Sequence, residues 1–305
     1  REVEKLLGLK MNYSEVLERF RYLEGQTIPG VIEGYRLYHD SRYKLNKTVQ
    51  AVLGDHVAAI NFSDAFVTDK INDWTKKVTK GEILNMYHSD LEDNTTMVLV
   101  GATFIKLMLK ANFGRVELLD RGFYLLTGVE TNNTFLKYEG SFGYRDSKLL
   151  DCEIFKISYE NERFSFVVFL PRNTSNITLF VNSVNYTNFN SELKSTVLKD
   201  IVLTLPEFST QRKMNMESVL SQWGLPNTLS AGAEFGAFAN RSGLLLDRIT
   251  SAEDVQIFMG GNNASSVSHP YNVTVERPFV HMVYDNITDS LLYLAIDMYM
   301  PVGYS

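Results

Sequence analysis

Ile71, Trp74 and Val78 recur at the spacing of one helical face, while Asp73, Lys76, Lys77 and Lys80 fall on or near the other. The run Ala65–Lys80 therefore reads as an amphipathic helix, and Gly81 stands where the chain can stop it by taking positive φ. A second helical pattern, Ser14–Leu23, places Val16, Leu17, Phe20 and Leu23 on one side. Apolar or alternating runs predict strands over Val31–Tyr38, His56–Phe62 and Thr96–Leu109. Cys152–Ser158 and Phe164–Leu170 flank the polar stretch Glu160–Glu162, which is a hairpin pattern. Ile201–Leu205, closed by Pro206, reads as a strand, and Met214–Trp223 as a short helix. The last third predicts strands at Leu244–Ile249, Val255–Met259, Val273–Tyr284 and Leu291–Met300. Helices lead and strands then dominate, so the expected class is α+β, with large antiparallel or mixed sheets flanked by helices. No internal repeat or Pro/Gly-rich linker divides the chain, and a single domain over residues 1–305 is expected.

Composition narrows the function classes. A hydrophobic content of 45% over 305 residues suits a globular chain with a large core. The net charge of −6 gives no electrostatic case for nucleic acid. No run of eighteen apolar residues occurs, so no membrane span is expected. The single cysteine, Cys152, excludes an internal disulfide framework and lies in an apolar strand, as a small buried hydrophobe would. Twelve Asn-x-Ser/Thr sequons occur, where chance in a chain of this composition gives about three. They begin at Asn12, Asn46, Asn61, Asn94, Asn132, Asn173, Asn176, Asn185, Asn240, Asn263, Asn272 and Asn286. This excess points to a secreted glycoprotein, with Asn61 set apart because a neighbouring strand would bury it.

Catalytic and cofactor motifs fail on spacing. The five histidines, His39, His56, His88, His269 and His281, show no zinc-type spacing. His88-Ser89-Asp90 sets triad residue types side by side, whereas triads assemble from distant segments. Tyr138-Glu-Gly-Ser-Phe-Gly143 lacks the nucleophile-elbow spacing, and Gly232-x-x-x-Gly236 is followed by no Gly-Lys-Ser/Thr. No metal, no cofactor and no enzymatic activity are expected. Lys76, Lys77 and Lys80 could hold a sulfated polysaccharide, but acidic neighbours make a solvated face the simpler reading.

Ile71-Asn72-x-Trp74 followed by Thr79-x-Gly81-x-Ile83 resembles a signature of the serpin family. Thr96-Met-Val-Leu-Val-Gly-Ala102 with Phe104, Ile105 and Lys106 is similar to a family strand, as is Phe164-Ser-Phe-Val-Val-Phe-Leu-Pro171. Leu205-Pro-Glu-Phe208 with Leu220 and Gly224-Leu225 follows in the family's order. Arg277-Pro-Phe279, Asp285-Asn-Ile-Thr288 and Leu291-Leu-Tyr293 complete it. Set against the family pattern, the chain is expected to lack counterparts of the first helix, the first inner strand and the second helix.

The resemblance implies a mechanism and then departs from it. An inhibitory serpin inserts its cleaved reactive loop into the main sheet as a new strand, dragging the acyl-linked protease with it. Insertion needs a long loop with small hinge residues. The corresponding remnant is Gly261, Asn262, Asn263, Ala264, Ser265, Ser266, Val267, Ser268 and His269. The family's acidic hinge pair is missing, and Asn263 heads a sequon whose glycan could not enter a sheet. Eight residues, Asn262–His269, reach about 26 Å as a strand, and insertion needs roughly twice as many. The family's sheet-gate Asn, its His partner and a nearby Trp fall at Gly101, Ser251 and Leu109. The resemblance thus implies a protein impaired in suicide inhibition that binds a small hydrophobic ligand or a partner protein. The alternative is a working serine or cysteine protease inhibitor whose loop is longer than this sequence shows.

Overall fold

A computed structural model of the chain describes residues 28–89, 91–109, 117–172, 185–207, 210–225, 243–259 and 269–298. It also describes the single positions 15, 16, 18, 21, 22, 177, 180, 181, 233, 235, 238 and 239. In chain order the elements begin with β1 (Val31–Asp40), α1 (Lys47–Leu53), β2 (Val57–Ile60), α2 (Val67–Val78) and β3 (Met97–Leu109). β4 (Glu117–Tyr124), β5 (Glu130–Ser147), β6 (Cys152–Ser158), β7 (Phe164–Pro171) and α3 (Tyr186–Lys194) follow. The chain continues with β8 (Val197–Pro206), β9 (Thr210–Asn215), α4 (Glu217–Gln222) and β10 (Leu246–Met259). β11 (Tyr271–Thr274), β12 (Phe279–Asp285) and β13 (Ser290–Asp297) complete it. The residues cluster into two units, Arg1–Lys106 with Thr210–Gln256, and Leu107–Ser209 with Ile257–Ser305.

The first unit is built on a five-stranded sheet in the order β2-β1-β3-β10-β9. β1 runs parallel to β2 and antiparallel to β3, with Tyr35 opposite Gly101. β10 is antiparallel to β9, with Ser251 opposite Met214. The alternation along β3 sends Val98, Val100 and Ala102 into a core with Ile71, Met86 and Tyr87. Met97 and Leu99 go to another core with Leu45, Leu244 and Leu246. A strand covered on both faces reads as a continuous apolar run, and Thr96–Leu109 does.

α2 forms as its periodicity predicts. Ile71 is fully buried, Trp74 and Val78 pack at the core's margin, and Asp73, Lys76, Lys77 and Lys80 are exposed. Burying a side chain such as Ile71 stabilises by roughly 1.5–3 kcal/mol. Gly34 of β1 lets the helix approach: a Cβ there would lie 2.5 Å from Val78 Cγ2. The stop is a Schellman turn, with the Gly81 amide donating to the Lys76 carbonyl at 2.7 Å and that of Lys80 to Lys77 at 3.3 Å. Lys80 itself takes φ 55°, ahead of Gly81 at φ 92°, so two successive residues turn left-handed where the sequence suggested one.

The second unit carries an eight-stranded sheet in the order β11-β8-β5-β6-β7-β12-β13, with β4 also on β5. β5, at 18 residues, is long enough to serve β4, β8 and β6 in overlapping registers. β7 and β12 are buried at every position, which is why both read as unbroken apolar runs. Phe169, Phe189, Leu193, Val280 and Met282 lie in their core.

Several boundaries differ from the sequence reading. Leu244–Ile249 and Val255–Met259 are one strand, β10, because the polar stretch between them pairs with β9. Val273–Tyr284 divides into β11 and β12 around Arg277-Pro278, where proline lacks the amide a ladder needs. Met214 and Asn215 belong to β9, which shortens the helix there to α4. α1, β4, β5, β9 and α3 escaped the pattern search, since their polar or exposed faces leave no clean period. Half of the helix expected over Ser14–Leu23 lies outside the described residues; the described positions 15, 16, 18, 21 and 22 are helical.

Candidate functional site

Of the three positions that the family resemblance aligns with a sheet gate, Gly101 and Ser251 come together in the first unit. β3 lies directly beside β10 with no strand between them, and a Cβ built on Gly101 would lie 3.8 Å from Ser251 Oγ. Glycine offers no side chain, so no side-chain bond spans the strands here. Leu109 lies in the second unit, 1% exposed, paired with Tyr159 by an isolated bridge and facing a small void with Tyr138, Phe142 and Ile157.

Other contacts hold the sheet that the sequence reading did not find. Asp247 Oδ2 of β10 accepts from the Thr96 amide at 2.6 Å, the Thr96 hydroxyl at 3.0 Å and the Met97 amide at 3.1 Å. The Leu245 carbonyl, 2.7 Å from Thr96 Oγ1, is the other acceptor within reach of that single hydroxyl proton, and the Leu245 amide donates back to Oγ1 at 2.8 Å. One residue before Ser251, Thr250 Oγ1 lies 2.9 Å from Tyr87 Oη, on the segment that follows α2. Asn72 of α2 grips that same segment: its Oδ1 accepts from the amides of Met86 (2.7 Å) and Tyr87 (2.9 Å), and its Nδ2 donates to the Tyr87 carbonyl (2.9 Å). Local sequence could flag the Asn72 position, but partners 14 and 15 residues away are set only by the fold.

The loop remnant Gly261–Ser268 lies outside the described residues. His269 is described, at φ 60°, two residues before β11. Of the sequons, Asn12, Asn173, Asn176, Asn240 and Asn263 also lie outside the described residues. Asn46, Asn94, Asn132, Asn185 and Asn272 are exposed. Asn61 is exposed too, against expectation, because β2 ends at Ile60 and the chain turns outward there. Asn286 is half-buried, and its Nδ2 donates to the Glu162 carbonyl (3.1 Å) and to Ser165 Oγ (3.0 Å).

Reactive groups are subdued. Cys152 is fully buried, and burial pushes its thiol up to about 12, the opposite of an activated nucleophile. Burial holds the His39 imidazole below its usual range, although its Nδ1 lies 3.1 Å from the Asp40 carbonyl. His281 is fully buried with Nε2 2.7 Å from Asp297 Oδ2, ringed by Phe166, Phe279 and Tyr293. Among the described residues no group of three metal-ligating side chains converges, and no helix is long and apolar enough to cross a membrane. Lys76 shares a surface hollow with Asp69 and Asp73, as a solvated face would. The second unit holds an apolar cleft of about 250 Å³ lined by Phe169, Phe180, Phe189, Met282, Leu291 and Leu294, among others.

The family model described as Serpin (serine protease inhibitor) matches residues 4–297. The chain belongs to the serpin family. This serpin is 19% identical over 265 residues to Iripin-1 of Ixodes ricinus, covering 83% of this chain and 67% of that protein. It is 21% identical over 238 residues to the human plasma serine protease inhibitor, covering 74% of this chain and 58% of that one. The serpin thus spans about three fifths to two thirds of the length of these curated relatives. Among solved structures, Serpin-12 of Manduca sexta superposes with a TM-score of 0.83 at 20% identity, covering 98% of this chain and 85% of that one. At that identity the likeness shows the fold, and it agrees with the α+β class expected from the sequence.

Proposed function

We propose that this serpin is a secreted glycoprotein, folded as a single serpin-like domain, that does not work, or works poorly, as a suicide inhibitor. Its role is binding rather than catalysis. The observation that carries this reading is Gly101 facing Ser251 across two directly paired strands. In the family pattern those positions hold hydrogen-bonding side chains where the sheet parts to admit the loop. Losing both partners together is close to neutral for stability, since each such bond is worth about 1 kcal/mol net, so the sheet survives without its gate. The short, sequon-bearing remnant at Gly261–His269 supports the same reading. The apolar cleft over β7 and β12 supports a small hydrophobic ligand, although about 250 Å³ is just under the range of roughly 300–1,000 Å³ usual for such sites; an exposed apolar rim, Leu291 and Leu294, suits a protein partner as well.

A second reading, a working serine or cysteine protease inhibitor, has the named activity of the human relative in its favour. The two separate in one experiment. The native protein is incubated with trypsin-like and cysteine proteases and resolved on a denaturing gel. Cleavage in 261–269 without a covalent complex, and without a rise in melting temperature, is the expected result. A denaturation-resistant complex would establish inhibition and overturn the first reading.

A further inference from the structure

β11 is the weakest-looking strand of the second unit: four residues, at the sheet's edge, paired in parallel to β8 alone. A side-chain network compensates. The Tyr271 hydroxyl donates to Glu153 Oε1 of β6 at 2.8 Å, and the Tyr144 hydroxyl of β5 donates to the same oxygen at 2.8 Å. The two rings meet edge-on with centroids 5.6 Å apart. Lys199 of β8 sets its Nζ 3.7 Å from the Tyr271 centroid and 4.0 Å from that of Tyr144. Four strands therefore converge on one cluster in which each polar group has a defined partner: two hydroxyl donors, one carboxylate acceptor, and one cation over two rings. Burial, and then the Glu153 carboxylate, push both tyrosine pKa values up, so the hydroxyls stay protonated as donors across physiological pH.

We infer that Tyr271, Glu153, Tyr144 and Lys199 form a latch that fixes the point at which the chain enters β11. The chain enters β11 through His269, at φ 60°, and Pro270, whose φ is fixed. The entry is narrow in conformation, and Tyr271, the first residue of β11, grips the sheet through Glu153. The parallel ladder continues past β11 with the Val275 amide on the Thr204 carbonyl at 2.8 Å, so opening the latch frees the strand from its first residue. Tyr271 is 37% exposed, which leaves the latch accessible from solvent.

The test is hydrogen exchange read by mass spectrometry on the full chain, comparing wild type with Tyr271→Phe, Glu153→Ala and the double variant. Tyr271→Phe keeps the ring over Lys199 and removes only the hydroxyl. Each single change should speed exchange at residues 271–275 by roughly three- to tenfold, with β7 (Phe164–Pro171) unchanged as the internal reference. The double variant should exchange no faster than the faster single one, because both remove the same bond. Unchanged exchange in β11, additive effects in the double variant, or an equal rise in β7 would each overturn the latch.

Discussion

Gly101 and Ser251 face each other across β3 and β10, with 3.8 Å between a Cβ built on the glycine and the serine hydroxyl. The space is open and Gly101 needs no positive φ, so a side chain can be put back. We predict that Gly101→Asn and Ser251→His singly change stability by less than about 1 kcal/mol, and that together they couple favourably by roughly 0.5–1.5 kcal/mol. Urea unfolding of the four proteins in the cycle measures the coupling; zero or unfavourable coupling would show that the two positions are not a latent gate pair.

Asn72 should matter more to stability than any other polar residue of α2. Its three bonds hold the segment at Met86 and Tyr87 onto the helix. Asn72→Ala leaves two part-buried amides and a carbonyl without that partner, an expected cost of about 2–3 kcal/mol. Asp73→Ala, on the exposed face of the same helix, should cost less than about 0.5 kcal/mol. Thermal melts of the two variants side by side decide the point.

Asp285 gives the protein part of its acid sensitivity. Burial acts to raise its pKa, but the Arg163 guanidinium at 2.8 Å, aided by the Ile287 amide, outweighs this and holds the carboxyl below the usual range. A lowered folded pKa means that the stabilisation is complete above the unfolded value of about 3.9 and fades as pH falls through the folded one. The stability gap between wild type and Asp285→Asn should therefore be widest near neutrality and narrow below about pH 4. A gap that stays constant down to pH 2 would remove Asp285 from the account.

The sequons should not be used equally. Intact mass and glycopeptide mapping of secreted protein, before and after deglycosylation, should find glycan among Asn46, Asn61, Asn94, Asn132, Asn185 and Asn272, all exposed. Asn286 should remain bare, because the nitrogen that would carry the sugar is bonded to Glu162 and Ser165. An occupied Asn286 would mean that this turn forms only after modification; a wholly unglycosylated secreted chain would refute the glycoprotein reading.

Ser165 replaced by alanine offers a check on the same turn. Its hydroxyl is one of two partners of the Asn286 amide, and the Glu162 carbonyl remains. A loss near 1 kcal/mol is expected, read as a small drop in the denaturation midpoint with unchanged slope.

The strand and helix signals that proved legible share one property. Ile71, Trp74 and Val78 lie on one face because 3.6 residues make a turn, and β7 and β12 read as apolar runs because both their faces are covered. Such local periodicities are written in the chain and need no partner to be seen. β4, β5 and β9 were not legible, since half-exposed strands mix polar and apolar residues, and their identity rests on which neighbour supplies the ladder. The gate positions could be placed along the sequence only through the family resemblance.

What the sequence determined by itself, then, is the α+β class and the α2 helix with its stop. Tertiary structure alone decided that Gly101 and Ser251 meet, that Asp247 ties β10 to the start of β3, and that Tyr271 finds Glu153 118 positions away in the chain. The physical reason is range. Periodicity and turn chemistry act over a few residues, whereas a hydrogen bond or a shared core forms between whatever residues the sheet order brings within a few ångströms, and that order is a property of the whole chain.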